Sequence, residues 1–412
     1  MAHDTMTHAH GDSSMWMWGA ANGWTIMGMA QGFPIVTVGA PGEEGSPLND
    51  TGFYFTQPAA MINLESPGSR LVLRTTLNFE GITLEDGEST FGGWGEGFLD
   101  RRHPHTLLHE LMLSLNLGEV AGGRASLSAG KGFAPYGTDD PMSRPGLKYP
   151  TNHHLSQILE RWTVNAVYLR DGWSAEVGVF GGGEPEGPYD LSNIESFGNS
   201  ISGRIARRWG GGVGPMAEWE ASASLPRVVE EHHGEEEAKG LWNVALRRAG
   251  VVAGAPVYGL LEFSQSLPDH GEGYFSALGE MQVTRGRHQP YARIEYATRP
   301  EYNQEGPAGS PGFFRYDHDD EAIGATRWVI GTLGYNFIAV RGPVSIRPFA
   351  DVQFHRVNLE RGPATLLPGT MFGGNRFWSL SFGARIFLGG DPMRMGSYGV
   401  LDPMTVMHQG GM

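Results

Sequence analysis

Residues 100–117 read Asp-Arg-Arg-His-Pro-His-Thr-Leu-Leu-His-Glu-Leu-Met-Leu-Ser-Leu-Asn-Leu. The second half alternates. Leu111, Leu113, Leu115 and Leu117 share one parity, and Met112, Ser114 and Asn116 share the other. A period of two gives a β-strand with one apolar face and one mixed face. By parity His109 falls on the apolar face and Glu110 on the mixed one. The first half crowds histidines, arginines and a proline into a turn-like approach to the strand. The alternating pattern recurs along the chain and sets the architecture. The histidine-rich approach occurs once and is the main lead on function.

The alternation is clear elsewhere. Leu71, Leu73, Leu77 and Phe79 oppose Arg74, Thr76, Asn78 and Glu80; Trp219, Ala221, Ala223 and Leu225 oppose Glu218, Glu220, Ser222 and Ser224. Val344, Ile346, Pro348, Ala350, Val352 and Phe354 oppose Arg347, Asp351, Gln353 and His355. These patterns predict strands at 24–38, 52–64, 69–81, 106–118, 123–132, 155–169, 173–182, 198–208, 214–225, 240–249, 255–266, 273–285, 289–298, 326–340, 344–357 and 376–388. Connections after even-numbered strands are short, as at 65–68, 170–172, 286–288 and 341–343. Those after odd-numbered strands are mostly long: 39–51, 82–105, 133–154, 183–197, 226–239, 299–325 and 358–375.

Tight turns at one end and long loops at the other predict an all-β transmembrane antiparallel barrel, with turns in the periplasm and loops outside. The expected count is about sixteen strands, or fourteen if 24–38 and 52–64 are not membrane strands. A charge facing lipid at mid-depth costs ~2–4 kcal/mol, so the charged parity must face the lumen. Trp173, Trp328 and Trp378 lie near strand ends, where aromatic girdles are expected. The layout is a Met/His-rich tail at 1–22, a barrel at 23–388 and a Met-rich tail at 389–412.

Composition agrees. The 412 residues include 62 glycines and only 40% hydrophobic residues, low for a water-soluble chain of this length. A barrel with lipid outside and water inside needs no large apolar core. The chain has no cysteine, which removes disulfides and thiolate metal sites. A net charge of −15 argues against a nucleic-acid partner. Met1 to Trp18 show no basic region followed by an apolar run, so no signal peptide is visible, and Ala2-His3-Asp4 reads like a mature start.

Several residues carry possible metal chemistry. His103, His105, His153 and His154 flank the fourth and sixth predicted strands and could meet at the outer rim. Glu110 or Glu184 could complete or orient such a set, which would suit Cu or Zn. The alternative is loop order, with the same side chains paired to acidic loop residues and to Arg101 or Arg102. His232, His233 and His318 read as loop order. Separately, His3, His8, His10, Met1, Met6, Met15 and Met17 at one end, and Met393, Met395, Met404, Met407 and His408 at the other, are donors suited to Cu(I).

No H-E-x-x-H follows His109-Glu110, and neither a G-x-S-x-G elbow nor a P-loop occurs, so no enzyme is expected. The runs Asp100-Arg101-Arg102-His103-Pro104-His105, Asn152-His153-His154 and Phe180-Gly-Gly-Gly-Glu184-Pro185-Glu186 resemble an uncharacterised, porin-like family of Gram-negative outer-membrane barrels, over about residues 24–225. Thr106 stands where that family carries an acid. Glu160 and Arg161 stand where a further histidine is expected. The resemblance implies a bacterial outer-membrane location with lipid as a partner. That family has no assigned substrate; with the barrel pattern and the histidine and methionine clusters, the expected function is porin-like passage or handling of small solutes, connected with metal ions. The alternative is a copper-binding or resistance protein whose barrel serves as an anchor.

Overall fold

The computed structural model describes residues 16–19, 21–39, 52–83, 88–89, 101–102, 106–138, 144–146, 153–185, 188–191, 194–211, 217–232, 235–269, 273–299, 325–361 and 374–389. Sixteen strands form a closed antiparallel barrel. They are β1 (Thr25–Gly39), β2 (Gly52–Glu65), β3 (Leu71–Asn78), β4 (Leu108–Val120), β5 (Gly123–Gly132), β6 (Arg161–Arg170), β7 (Trp173–Phe180) and β8 (Ser200–Gly211). They continue as β9 (Ala217–His232), β10 (Glu235–Val252), β11 (Ala255–Pro268), β12 (Tyr274–Val283), β13 (His288–Arg299), β14 (Ala325–Phe337), β15 (Val344–Arg361) and β16 (Arg376–Leu388). Each strand pairs with its sequence neighbours, and β16 closes on β1 from Ser379↔Gly39 to Leu388↔Ala30. The first two predicted strands belong to the ring, which settles sixteen over fourteen. No helix among the described residues is long and apolar enough to cross a membrane.

The short turns use left-handed backbone. Ala121-Gly122, Asp171-Gly172 and Ala253-Gly254 each place both residues at positive φ, the geometry that matches the twist of a two-residue hairpin. Parity sorts the faces as expected. Leu113, Val177, Ile205, Leu261, Ile294 and Leu333 are at least half exposed on the outer surface. Arg74, Glu176, Arg204, Glu262, Arg293, Asp351 and Arg385 are buried inside. Apolar groups thus face the lipid side, and charges sit where other charges satisfy them.

Four sequence expectations are corrected. First, β4 carries a bulge opposite Thr76/Leu77: Thr76 pairs with Glu110 and Leu77 with Leu108. The extra residue turns His109 inward beside Glu110, and His109 is 1% exposed. Second, 155–160 is not strand. His153–Ser156 form a helical turn, α1, and Leu155 to Glu160 run inside the barrel. Third, 226–239 is not a long loop. β9 and β10 continue to His232↔Glu235, with Val228 and Glu230 still on the inward parity. Fourth, Trp328 is no girdle residue. It shares the inward parity of Thr326 and Ile330, is fully buried, and donates from Nε1 to Thr326 Oγ1 at 3.0 Å. Trp173 and Trp378 do face outward.

One further strand, Trp16–Gly19, pairs with β1 from Trp16↔Gly28 to Gly19↔Thr25. It occupies the edge of β1 that β16 leaves uncovered. The described part of the N-terminal segment is therefore part of the sheet.

Candidate functional site: the segment crossing the lumen

The connection between β5 and β6 does not stay outside. Its described residues enter the barrel and are nearly all buried. Local chemistry accounts for this. Ala134, Tyr136, Leu155 and Ile158 pack with Phe180, Val228 and Leu241 of the wall. Tyr136 Oη donates to Leu155 O at 2.8 Å and lies 3.2 Å from Trp242 O, so the ring is buried with its hydroxyl satisfied. Gly137 adopts φ +73, and a Cβ there would lie 1.7 Å from Ser156 O, so the two arms of the segment touch at a position only glycine fits.

Beyond that contact the segment is held by hydrogen bonds to several strands. Asn165 Nδ2 donates to Phe133 O at 2.9 Å, and the Gly137 amide donates to Ser224 Oγ at 3.1 Å. Arg204 Nε donates to Gly137 O at 3.0 Å, while its other nitrogens reach Glu176 and Glu220 at 2.9 Å. Arg208 completes this network on Glu220 at 2.7 Å.

Arg144 is fully buried and sits 3.2 Å from Glu262 and 3.8 Å from Glu280, on β11 and β12. Thr138 Oγ1 donates to the same Glu262 at 2.7 Å. The backbone of the same stretch faces the opposite chemistry. Arg385 on β16 donates to Arg144 O at 3.1 Å and to Pro145 O at 3.3 Å, and Asn336 Nδ2 donates to Pro145 O at 3.4 Å. Arg385 and its cross-strand partner Arg347 lie over the Phe387 ring, and Arg385 also over Phe33. The segment thus spans from a carboxylate wall to an arginine wall, offering a guanidinium to the first and carbonyls to the second. Beside it, Arg293 pairs with Glu295 at 2.5 Å, and Tyr291 Oη donates to Asp351 at 3.0 Å.

The far end of the segment is fixed at the head of β4. Glu160 takes a left-handed φ of +55, and its Oε1 lies 2.6 Å from His109 Nδ1 and accepts from the Thr106 amide at 3.0 Å. Lys131 Nζ donates to Thr106 Oγ1 at 2.8 Å, and Phe133 meets the His109 ring edge to face. Thr106 and Glu160, two of the three residues that depart from the pattern of the resemblance, therefore bond to each other.

Of the residues proposed for a metal, His103 and His105 and the side chains of His153 and His154 lie outside the described residues. Glu110 accepts from Thr76 at 3.1 Å and lies 3.6 Å from Arg74; Glu184 pairs with Arg161 at 2.7 Å. Among the described residues no group of three or more His, Asp or Glu side chains is placed to hold a metal ion. Both carboxylates proposed as ligands face arginines. The rule that the charged parity faces the lumen also places Glu176, Arg204, Glu220, Glu262, Arg293, Asp351 and Arg385 inward, where they are buried. It missed Arg144, Glu160 and Lys131, which owe their positions to a connection or a strand end, where period-two patterning gives no signal.

No protein-family model matches the chain, and no curated protein matches it. Solved structures do. OmpF from Salmonella typhi, solved with daunomycin, has a TM-score of 0.50 at 12% identity, covering 89% of this chain and 99% of that one. OprB from Pseudomonas putida has a TM-score of 0.50 at 9% identity, covering 89% and 94%. An anion-selective porin from Comamonas acidovorans is similar at a TM-score of 0.48 and 12% identity, covering 89% and 99%. At these identities the likeness to the first two is one of fold alone, and it agrees with the closed antiparallel barrel described above.

Proposed function

We propose that the protein is an outer-membrane channel that passes small polar solutes, and that the segment 133–160 sets its bore. One observation carries this reading. The segment is held across the lumen between the Glu262/Glu280 wall and Arg385. A ring of this strand number is wide enough to enclose water, and a segment fixed across it narrows the passage. A filter lined by both signs of charge favours small hydrated solutes over apolar ones. Short turns then face the periplasm and long loops the exterior.

Planar-bilayer recording tests this. The purified protein should give stable, small conductance steps, and liposomes containing it should swell in small sugars but not in large ones. Absence of current from both the native protein and a variant with Arg144, Thr138 and Arg204 replaced by alanine would defeat the channel reading.

A further inference from the structure

We infer that the inner wall at the barrel seam carries a binding site for a soft monovalent cation, Cu(I), built from the thioethers of Met17, Met27, Met29 and Met61. The inference is independent of whether the lumen conducts. Met27 and Met29 are two apart on β1, share the inward parity, and are 6% and 8% exposed. Met61 on β2 is the direct partner of Met29, and Met17 on the short N-terminal strand is the direct partner of Met27. Directly opposed residues of an antiparallel pair share a face, with Cβ atoms about 4.5–5.5 Å apart, and diagonal neighbours about 7–8 Å apart. Methionine has three rotatable bonds beyond its backbone, so the sulfurs of Met27 and Met29 can reach one ion together with that of Met61 or that of Met17.

The inward wall around the set is mixed, with Phe33, Val72 and Met112 buried among its polar residues. The same inward wall carries Gln31, Asn63, Arg74, Thr76 and Glu110. Within it, four thioethers fall on three adjoining strands. Met17 comes from a strand the ring does not need for closure. That strand is pinned from outside: the Trp18 ring packs where a Gly28 Cβ would stand, 3.1 Å from Trp18 Cζ3. With Trp16 and Trp18 outward, Met17 is directed inward, and it is 59% exposed, giving an ion access from the short-turn end. Thioether sulfur is a soft donor that favours Cu(I) over Zn(II), Cu(II) or Mg(II).

The first and last described residues, Trp16 and Gly389, both lie at this seam. Gly389, just past β16, lies against Gly28, since a Cβ at Gly389 would be 2.5 Å from Gly28 O. Gly28 is the partner of Trp16. The segments bearing His3, His8 and His10, and Met393, Met395, Met404, Met407 and His408, are thus covalently attached at one point beside the methionine set.

The test uses the full chain in detergent, titrated calorimetrically with Ag(I) as a redox-inert probe, then with Cu(I) against a chromophoric chelator. Two variants are compared. One carries Met27→Leu and Met61→Leu, which keep volume and apolarity. The other carries Met→Leu at 6, 15, 393, 395, 404 and 407 and His→Gln at 3, 8, 10 and 408. The tail variant should retain about one Ag(I) per chain, while the wall variant should bind it at least ~10-fold more weakly. Heat-modifiable electrophoretic mobility reports whether each variant folds, and Met17→Leu, at an exposed position, serves if the double variant does not. Unchanged binding by the wall variant, loss of all binding in the tail variant, or equal affinity for Zn(II) would each overturn the assignment.

Discussion

The Arg144 guanidinium lies 3.2 Å from the Glu262 carboxylate, 118 positions away in sequence, and neither side chain is exposed. This contact joins the middle of a connection to the far wall of the barrel. It carries a local cost and a functional consequence, and the two are separable by experiment.

Replacing Arg144 with alanine leaves Glu262 and Glu280 buried without that cation. Removing one partner of a buried ion pair costs about 3–5 kcal/mol. The temperature at which heat-modifiable mobility is lost should fall. If the segment limits the bore, single-channel conductance should rise in the same variant. A fall in stability with unchanged conductance would separate the anchor from the filter.

Gly137→Ala places a Cβ 1.7 Å from Ser156 O at a φ of +73. The two arms of the segment must then separate. We expect faster protease cleavage within 133–160 and noisier channel currents, while circular dichroism retains the full strand signal. Cleavage at the native rate would show that the backbone relaxes elsewhere.

The Glu160 carboxylate holds both His109 and the Thr106 amide. Glu160→Gln keeps an acceptor for the amide but removes the charge, whereas Glu160→Ala removes both contacts. Hydrogen exchange at Thr106 should therefore speed up in the alanine variant more than in the glutamine one. Equal protection in the two would mean that the head of β4 is held by Lys131 and Phe133 instead.

Ile294 is 63% exposed on the outer face of β13, and Arg293 beside it is buried inside. Ile294→Arg should cost ~2–4 kcal/mol if this position faces lipid at mid-depth. Folding yield into vesicles, compared with Ile294→Leu, measures it. An arginine tolerated at no cost would place Ile294 near an interface.

The sequence by itself determined most of the strands, a count of sixteen or fourteen, and the alternation of their faces. A lipid-facing wall and a lumen impose opposite demands at every second residue, and Leu113 against Ser114, or Leu261 against Glu262, records that demand locally. Turn chemistry such as Asp171-Gly172 is equally local. What sequence did not reveal depends on contacts between distant parts. The bulge that turns His109 inward arises from pairing with Thr76 and Leu77, and a single inserted residue shifts parity without altering composition. Trp328 is an aromatic residue near a strand end, and only its neighbours Thr326 and His355 reveal that it points inside. Residues 133–154 read as an outer loop and 155–160 as the start of a strand, yet the described residues of this connection lie inside. It enters the barrel because Glu262, Glu280 and Arg385, far away in sequence, meet at the place where Arg144 and its carbonyl find their partners. Burial of such a charge is favourable only when all of those partners are present, and the closed ring alone brings them together.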